Sequence, residues 1–198
     1  KKINLTRITE EQDVYLKHFY DSLTIVKEVD LKSVNTLCDV GTGAGFPGLV
    51  LKIMFPNLKV TLIESNGKKC NFLNYVINEL QLTNIEVLNQ RAEEFSKVVR
   101  EQYDIVTSRA VAPLKHLLEY SIPLVKVNGT YIAMKSDITN EIIGISNYEK
   151  KLDIKQINRI QFNLPIENSL RTLISYEKLK STNSIYPRKY NEIKKKEI

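Results

Sequence analysis

Three glycines and two carboxylates carry the first chemical signal in this chain. Asp39, Gly41, Gly43 and Gly45 alternate through Asp39-Val40-Gly41-Thr42-Gly43-Ala44-Gly45, and Glu64 closes the next apolar run. Glycines at such a bend let the backbone turn tightly and approach a ligand, because no Cβ intervenes. A carboxylate ending the neighbouring strand can accept hydrogen bonds from both hydroxyls of a ribose. A second pattern overlaps the first: Gly43, Gly45 and Gly48 satisfy GxGxxG, which in dinucleotide folds sets a helix N-terminus against a pyrophosphate. Here an acid precedes the glycines. It would repel a pyrophosphate and suits a cationic nucleoside such as S-adenosylmethionine, with its sulfonium and ammonium groups. On the loop alone three readings stay open: methyl transfer from that donor, nicotinamide-dependent oxidoreduction, and a plain strand-to-helix turn. A larger residue at Gly41 is expected to abolish cofactor binding while leaving the fold intact.

Little else in the chain has the signature of acid–base or metal chemistry. His18 and His116 are the only histidines, and His116 reads as an ordinary surface or packing residue. Cys38 and Cys70 lack CxxC spacing and sit in apolar periodic segments, so both are expected as buried, reduced thiols with no metal bound.

The elements that must position these residues follow from periodicity. Thr9 and Gln12 read as a capping box opening an amphipathic helix with Leu16, Phe19, Tyr20 and Leu23 on one face. Strands are expected at Thr36–Val40, Lys59–Ile63, Ile85–Leu88, Tyr103–Thr107 and Gly129–Met134. Helices alternate with them: Phe46–Met54, one capped by Asn66, Ala92–Val99, Pro113–Tyr120, and a last one around Asn140–Lys150. Strands separated by helices imply right-handed crossovers and a mostly parallel sheet. Ile154–Phe162 and Arg171–Leu179 have no convincing helix between them and should pair antiparallel. The expected architecture is therefore α/β, a Rossmann-like seven-stranded sheet of the methyltransferase type with an N-terminal helical extension. Residues 1–35 form that extension, 36–180 the methyltransferase domain, and 181–198 a basic C-terminal tail.

Composition bounds the function from outside. With 42% hydrophobic and 26% charged residues this is an ordinary globular chain. Its 29 Lys+Arg against 23 Asp+Glu permit a polyanionic partner without requiring one. The apolar runs are strand-length, far short of the roughly 20 residues that span a bilayer, and no signal-peptide pattern opens the chain. A cytoplasmic monomer, free of any membrane, is the expectation; the start at Lys1 without Met suggests missing N-terminal sequence.

Once the loop is placed, the chain resembles one family along nearly its whole length: the glucose-inhibited division protein B family, the ribosomal RNA small subunit methyltransferases G. The resemblance runs through Asn4-Leu5-Thr6, Lys17-His18-Phe19-Tyr20-Asp21-Ser22-Leu23 and the ten residues from Asp39 to Gly48. It continues in Lys68-Lys69, Phe72-Leu73, Arg91-Ala92-Glu93-Glu94-Phe95, Ser108-Arg109-Ala110 and Tyr186-Pro187-Arg188-Lys189. The resemblance implies N7 methylation of one guanine in bacterial 16S ribosomal RNA, with small-subunit RNA or the small subunit as partner. It implies a cofactor site of Asp39, Gly41, Gly43, Gly45, Phe46, Glu64, Ala92, Glu93 and Arg109. Guanine N7 is an unprotonated lone pair at neutral pH, so the reaction needs alignment rather than a base. Arg109 or Lys135 could orient the base through O6. His18, Arg188 and Lys189 are candidate RNA contacts. Arg7, Lys17, Lys68, Lys69 and Lys194–Lys196 join them as basic residues, with Tyr186 and Tyr190 interleaved for stacking. A third reading keeps the fold and the RNA but no catalysis, as an assembly protein.

Overall fold

Seven strands form one sheet in the order β3-β2-β1-β4-β5-β7-β6. The computed structural model describes residues 10–109 and 111–198. The strands are β1 (Thr36–Val40), β2 (Lys59–Glu64), β3 (Ile85–Asn89), β4 (Tyr103–Arg109), β5 (Val125–Lys135), β6 (Ile154–Asn163) and β7 (Leu170–Lys178). The first five are parallel, and β7 runs antiparallel between β5 and β6. Chain order reverses between β1 and β4, so the cleft opens above the carboxyl ends of these two strands.

Alternation along the strands loads both faces of the sheet. Cys38, Val40, Val106, Tyr131 and Ala133 join one buried cluster, while Leu37, Ile105 and Ile132 join the other. The first face is covered by α5 (Ala92–Val98), α6 (Leu114–Ser121), α7 (Ile145–Leu152) and α8 (Tyr190–Lys195). The second is covered by α3 (Gly48–Met54) and α4 (Gly67–Glu79), with Ile25 and Leu31 from the N-terminal segment. Both cysteines are buried and free.

Several boundaries depart from expectation for identifiable reasons. β5 starts four residues early because Asn128-Gly129, which looks like a turn, forms a bulge: its register jumps between Tyr103 and Ile105, and Asn128 has φ +66°. α7 starts five residues late because Gly144 is left-handed at φ +74° and ends a run of turns.

The N-terminal segment corrects a larger expectation. Thr9, half of the proposed capping box, lies outside the described residues, as do Asn4-Leu5-Thr6 and Arg7. From Glu11 the chain runs through α1 (Glu11–Val14), a π-helical stretch (Tyr15–Tyr20), α2 (Asp21–Leu23) and a 3-10 turn (Thr24–Lys27). Its buried face is His18, Asp21, Ser22 and Ile25, while Phe19 and Tyr20 are exposed. The π stretch rotates the register, and the surface it meets carries Arg109 and Arg171 beside the Phe46 ring, so His18 and Asp21 turn inward.

The last eighteen residues are packed rather than free. Tyr186, Ile193 and Ile198 are buried in the same cluster as Leu117 and Tyr148.

Candidate active site

The bend after β1 is held by its own backbone and by one acid beneath it. Gly41 and Thr42 donate their amides to the Ile63 carbonyl at 2.9 and 3.0 Å, which ties the bend to β2. Gly41, Gly43 and Gly45 have φ of +70°, +64° and +98°, a region costly for residues with a Cβ. Asp39 Oδ2 accepts from Thr42 Oγ1 and from the Gly48 amide, both at 2.7 Å, stitching β1 to the first turn of α3. Among the described residues its Oδ1 has no hydrogen-bond partner, and full burial pushes its pKa up to about 6.

Asp39 was expected beside the ligand, but its side chain points into the protein and does not line the cleft; it organises the loop from behind. Gly45 is likewise turned away. A Cβ there would lie 2.9 Å from Leu49 and 3.0 Å from Leu73, so its bare Cα serves helix packing.

Above the loop is a cavity of about 540 Å³, a size that suits a nucleoside ligand. Of the residues expected at a cofactor, Gly41, Gly43 and Phe46 line it, with Glu64 at the end of β2 and Ala92 and Glu93 at the start of α5. Glu64 is buried, and both its oxygens are fixed by amides: Gly43 donates to Oε2 at 3.0 Å and Asn66 to Oε1 at 2.8 Å. Each oxygen keeps a lone pair. Asn66 also caps α4, its side chain accepting from the amides of Lys68 and Lys69. The facing wall is aromatic and in part unforeseen. Tyr120 and Tyr190 line it, and the Arg91 guanidinium lies 4.4 Å over the Tyr190 ring while its Nε donates to Glu93 Oε1. Val111 and Ala112, just past β4, complete the floor.

Such a cavity fits S-adenosylmethionine on its own terms. It offers an anchored carboxylate for ribose hydroxyls, glycines where a ligand must come close, and aromatic and apolar walls for a purine. It fits a dinucleotide poorly: the Asp39 carboxylate lies against the first turn of α3, where a pyrophosphate would need a helix N-terminus free of negative charge.

At the other end of the cavity, Arg109 leaves β4 and is largely enclosed. Its Nη1 donates to the Lys17 carbonyl at 2.9 Å and reaches Asp21 Oδ2 at 3.4 Å; its guanidinium sits 5.3 Å over the Phe46 ring. Asp21 Oδ2 also accepts from Arg171 Nε at 3.1 Å, so one carboxylate serves two guanidiniums. His18 stacks on Phe46 at 4.4 Å with 6° between the rings, and its Nδ1 is 3.4 Å from Arg109 Nη2. Burial, and then the Arg109 charge, lower its pKa, favouring the neutral ring.

The remaining expected residues lie elsewhere. Lys135 ends β5 outside this cavity, bonded to the Ala112 carbonyl at 2.8 Å and to Glu141 at 2.9 Å. Arg188, expected on RNA, instead clasps the fully buried Glu119 through Nε at 2.8 Å and Nη2 at 2.7 Å, because an interior carboxylate needs a paired cation. Tyr186 is buried and offers no stacking face, whereas Lys189, just before α8, is exposed. Lys17 is paired with Asp13 and Glu167. Lys69, expected as an RNA contact, lines this cavity instead; of the residues that sequence reasoning did not single out, Arg91 lay inside a family-like stretch, but Tyr120 and Ala112 had no local signal.

The family model for rRNA small subunit methyltransferase G matches residues 1–169. The chain is 49% identical over 196 residues to the ribosomal RNA small subunit methyltransferase G of Mycoplasma capricolum subsp. capricolum, an alignment covering 98% of this chain and 84% of that protein. To the Bacillus thuringiensis protein of the same name it is 47% identical over 194 residues, covering 96% and 80%. Among solved structures, Pyrococcus horikoshii TYW2 in complex with MeSAdo has a TM-score of 0.67 at 12% identity, covering 88% of this chain and 66% of that one. A SAM-dependent methyltransferase from Aquifex aeolicus has a TM-score of 0.59 at 19% identity, covering 84% and 93%. At these identities the solved structures share the fold alone.

Proposed function

The chain belongs to the ribosomal RNA small subunit methyltransferase G family, and we propose that its cavity serves S-adenosylmethionine-dependent methylation of a guanine at N7 in small-subunit ribosomal RNA. The protein is an rRNA methyltransferase, and S-adenosylmethionine is its cofactor. The observation that carries the reading of the site is Glu64, a buried carboxylate held at the cavity wall by two loop amides.

When bound, the cofactor supplies a methyl group already activated by a positively charged sulfur. The chain's own residues then have three tasks. Glu64 holds the ribose, with Gly41 and Gly43 letting the ligand lie close to the loop. Ala92 and Glu93 border the purine, opposite Tyr190. Arg109, braced by Asp21 and the Lys17 carbonyl, presents a fixed cation at the mouth of the cavity, where it orients the substrate base. No general base is required for N7, so alignment of nucleophile, methyl and leaving group is the catalytic contribution, worth at best roughly 7–11 kcal/mol.

RNA binding is assigned to His18 and Lys189. Arg188 is left out of that set, since Glu119 already occupies its guanidinium. Among the described residues no helix is long and apolar enough to cross a membrane, and a ribosomal RNA substrate supports a cytoplasmic location.

The test is methyl transfer. Incubation with labelled donor and either small-subunit RNA or assembled subunits, followed by base mapping, should yield N7-methylguanine at one position. Binding of NADH in place of S-adenosylmethionine would overturn the reading.

A further inference from the structure

A second hollow, of about 360 Å³, lies beside the cofactor cavity and shares Val111 and Ala112 with it. Lys135, Asp137 and Glu141 bound its far side. Glu141 is fixed there by one oxygen only. Its Oε2 accepts from the Leu114 amide at 2.5 Å and forms an ion pair with Lys135 Nζ at 2.9 Å, and Lys135 itself donates to the Ala112 carbonyl. Oε1 accepts no hydrogen bond from the described residues. Asp137 is held by a local turn, its Oδ1 accepting from both the amide and the hydroxyl of Thr139.

A carboxylate with one oxygen anchored and one bare is a preorganised acceptor, because the side chain gives up no further rotamer freedom when it binds. Guanine matches it. The edge of guanine that carries N1–H and the N2 amino group is a pair of donors, on the side of the purine away from N7. Adenine offers an acceptor at N1 in that place and would meet the carboxylate lone pair to lone pair. Resting on the reading that N7 of a guanine receives the methyl group, we propose that Glu141 determines base specificity: Oε1 accepts from N1–H and N2–H of the target guanine, with Lys135 and the Leu114 amide holding Oε2. Enzymes that act on a nucleobase drawn out of its stack read it through this same edge.

Inosine separates this role from a structural one, since it keeps N7, O6 and N1–H and lacks only the N2 amino group. Small-subunit RNA is assembled with either guanine or a single inosine at the methylated position, and transfer rates are compared for the wild type and Glu141→Gln. The wild type is expected to lose about tenfold on inosine, the order expected for losing one hydrogen bond to a charged acceptor, since Oε1 keeps N1–H and loses only N2–H. Glu141→Gln should be slower on guanine, should treat the two bases within about twofold of each other, and should bind S-adenosylmethionine as the wild type does. If the glutamine protein does not fold, Glu141→Asp, which withdraws the carboxylate by one methylene, is expected to shrink the same ratio. A variant that keeps the full wild-type preference, or a wild type with no preference, overturns the proposal. A wild type that binds the cofactor but leaves guanine N7 unmethylated overturns the functional reading instead, and is told apart because it fails on the natural base.

Discussion

Gly43 and Glu64 are joined by a hydrogen bond of 3.0 Å from the loop amide to the strand-end carboxylate. The group proposed to hold the ribose is therefore also the group that sets the loop's position, and the Asn66 amide on its other oxygen ties both to the start of α4. Ligand, loop and helix cap share one side chain.

Glu64→Gln tests that sharing. Both carboxylate oxygens accept from amides, so a glutamine must set its NH2 against one donor and leave it unpaired. Affinity for S-adenosylmethionine should fall about 10- to 100-fold by calorimetry, in line with about 1.5–3 kcal/mol for a hydrogen bond to a charged group. Unchanged affinity would remove Glu64 from the site.

Gly41→Ala acts through the cavity floor. The new Cβ would lie 2.7 Å from Val111 Cγ1, at a φ of +70°. The left-handed backbone costs about 1–2 kcal/mol and Val111 must move, so cofactor binding should be lost while the circular dichroism spectrum stays native. A full-affinity alanine variant would mean that the loop and Val111 lie away from the ligand.

Arg188→Ala leaves the carboxylate of Glu119 buried without its cation, with only the residue-188 amide still donating to Oε1, and should destabilise the fold by about 3–5 kcal/mol in urea unfolding. A phosphate contact behaves differently: its loss lowers the slope of log affinity against log salt by about one. The slope of small-subunit RNA binding is expected to stay at its wild-type value. The opposite pair of results would return Arg188 to the RNA surface.

Asp39 predicts a pH dependence. Its native pKa of about 6 lies above the usual 3.8. An acid raised on folding contributes stability that is fully present below its unfolded value and lost as pH rises through its native one. The effect is worth at most about 3 kcal/mol. Against Asp39→Asn, which does not titrate, the wild type should gain stability as pH falls from 7.5 to 4, with most of the change between 6 and 4. Parallel curves for the two proteins would mean that Asp39 titrates normally.

The order of strands was legible because each announces itself locally, through alternation, glycine punctuation or a cap such as Asn66. Glu64 was legible for the same reason: it closes an apolar run next to the loop. Side-chain direction was not. Nothing within a few residues of Asp39 tells that its carboxylate turns back to Gly48, and Arg188 gives no sign that its partner is Glu119, 69 residues away. The N-terminal segment misled because its apolar residues suggest a buried stripe, whereas a buried guanidinium at Arg109 draws His18 and Asp21 inward instead. Glu141 lay in a segment read only as a helix, and its two anchors become visible once β5 and α6 are brought together.

Tyr190 walls the cofactor cavity, although it lies more than a hundred residues after the loop it faces. A chain emerging from the ribosome can assemble the glycine bend and Glu64 early, yet the cavity wall formed by Tyr190 is missing until α8 has been synthesised and docked. A fusion partner or cleavage near the end of α8 should therefore be felt first as weaker cofactor retention rather than as unfolding.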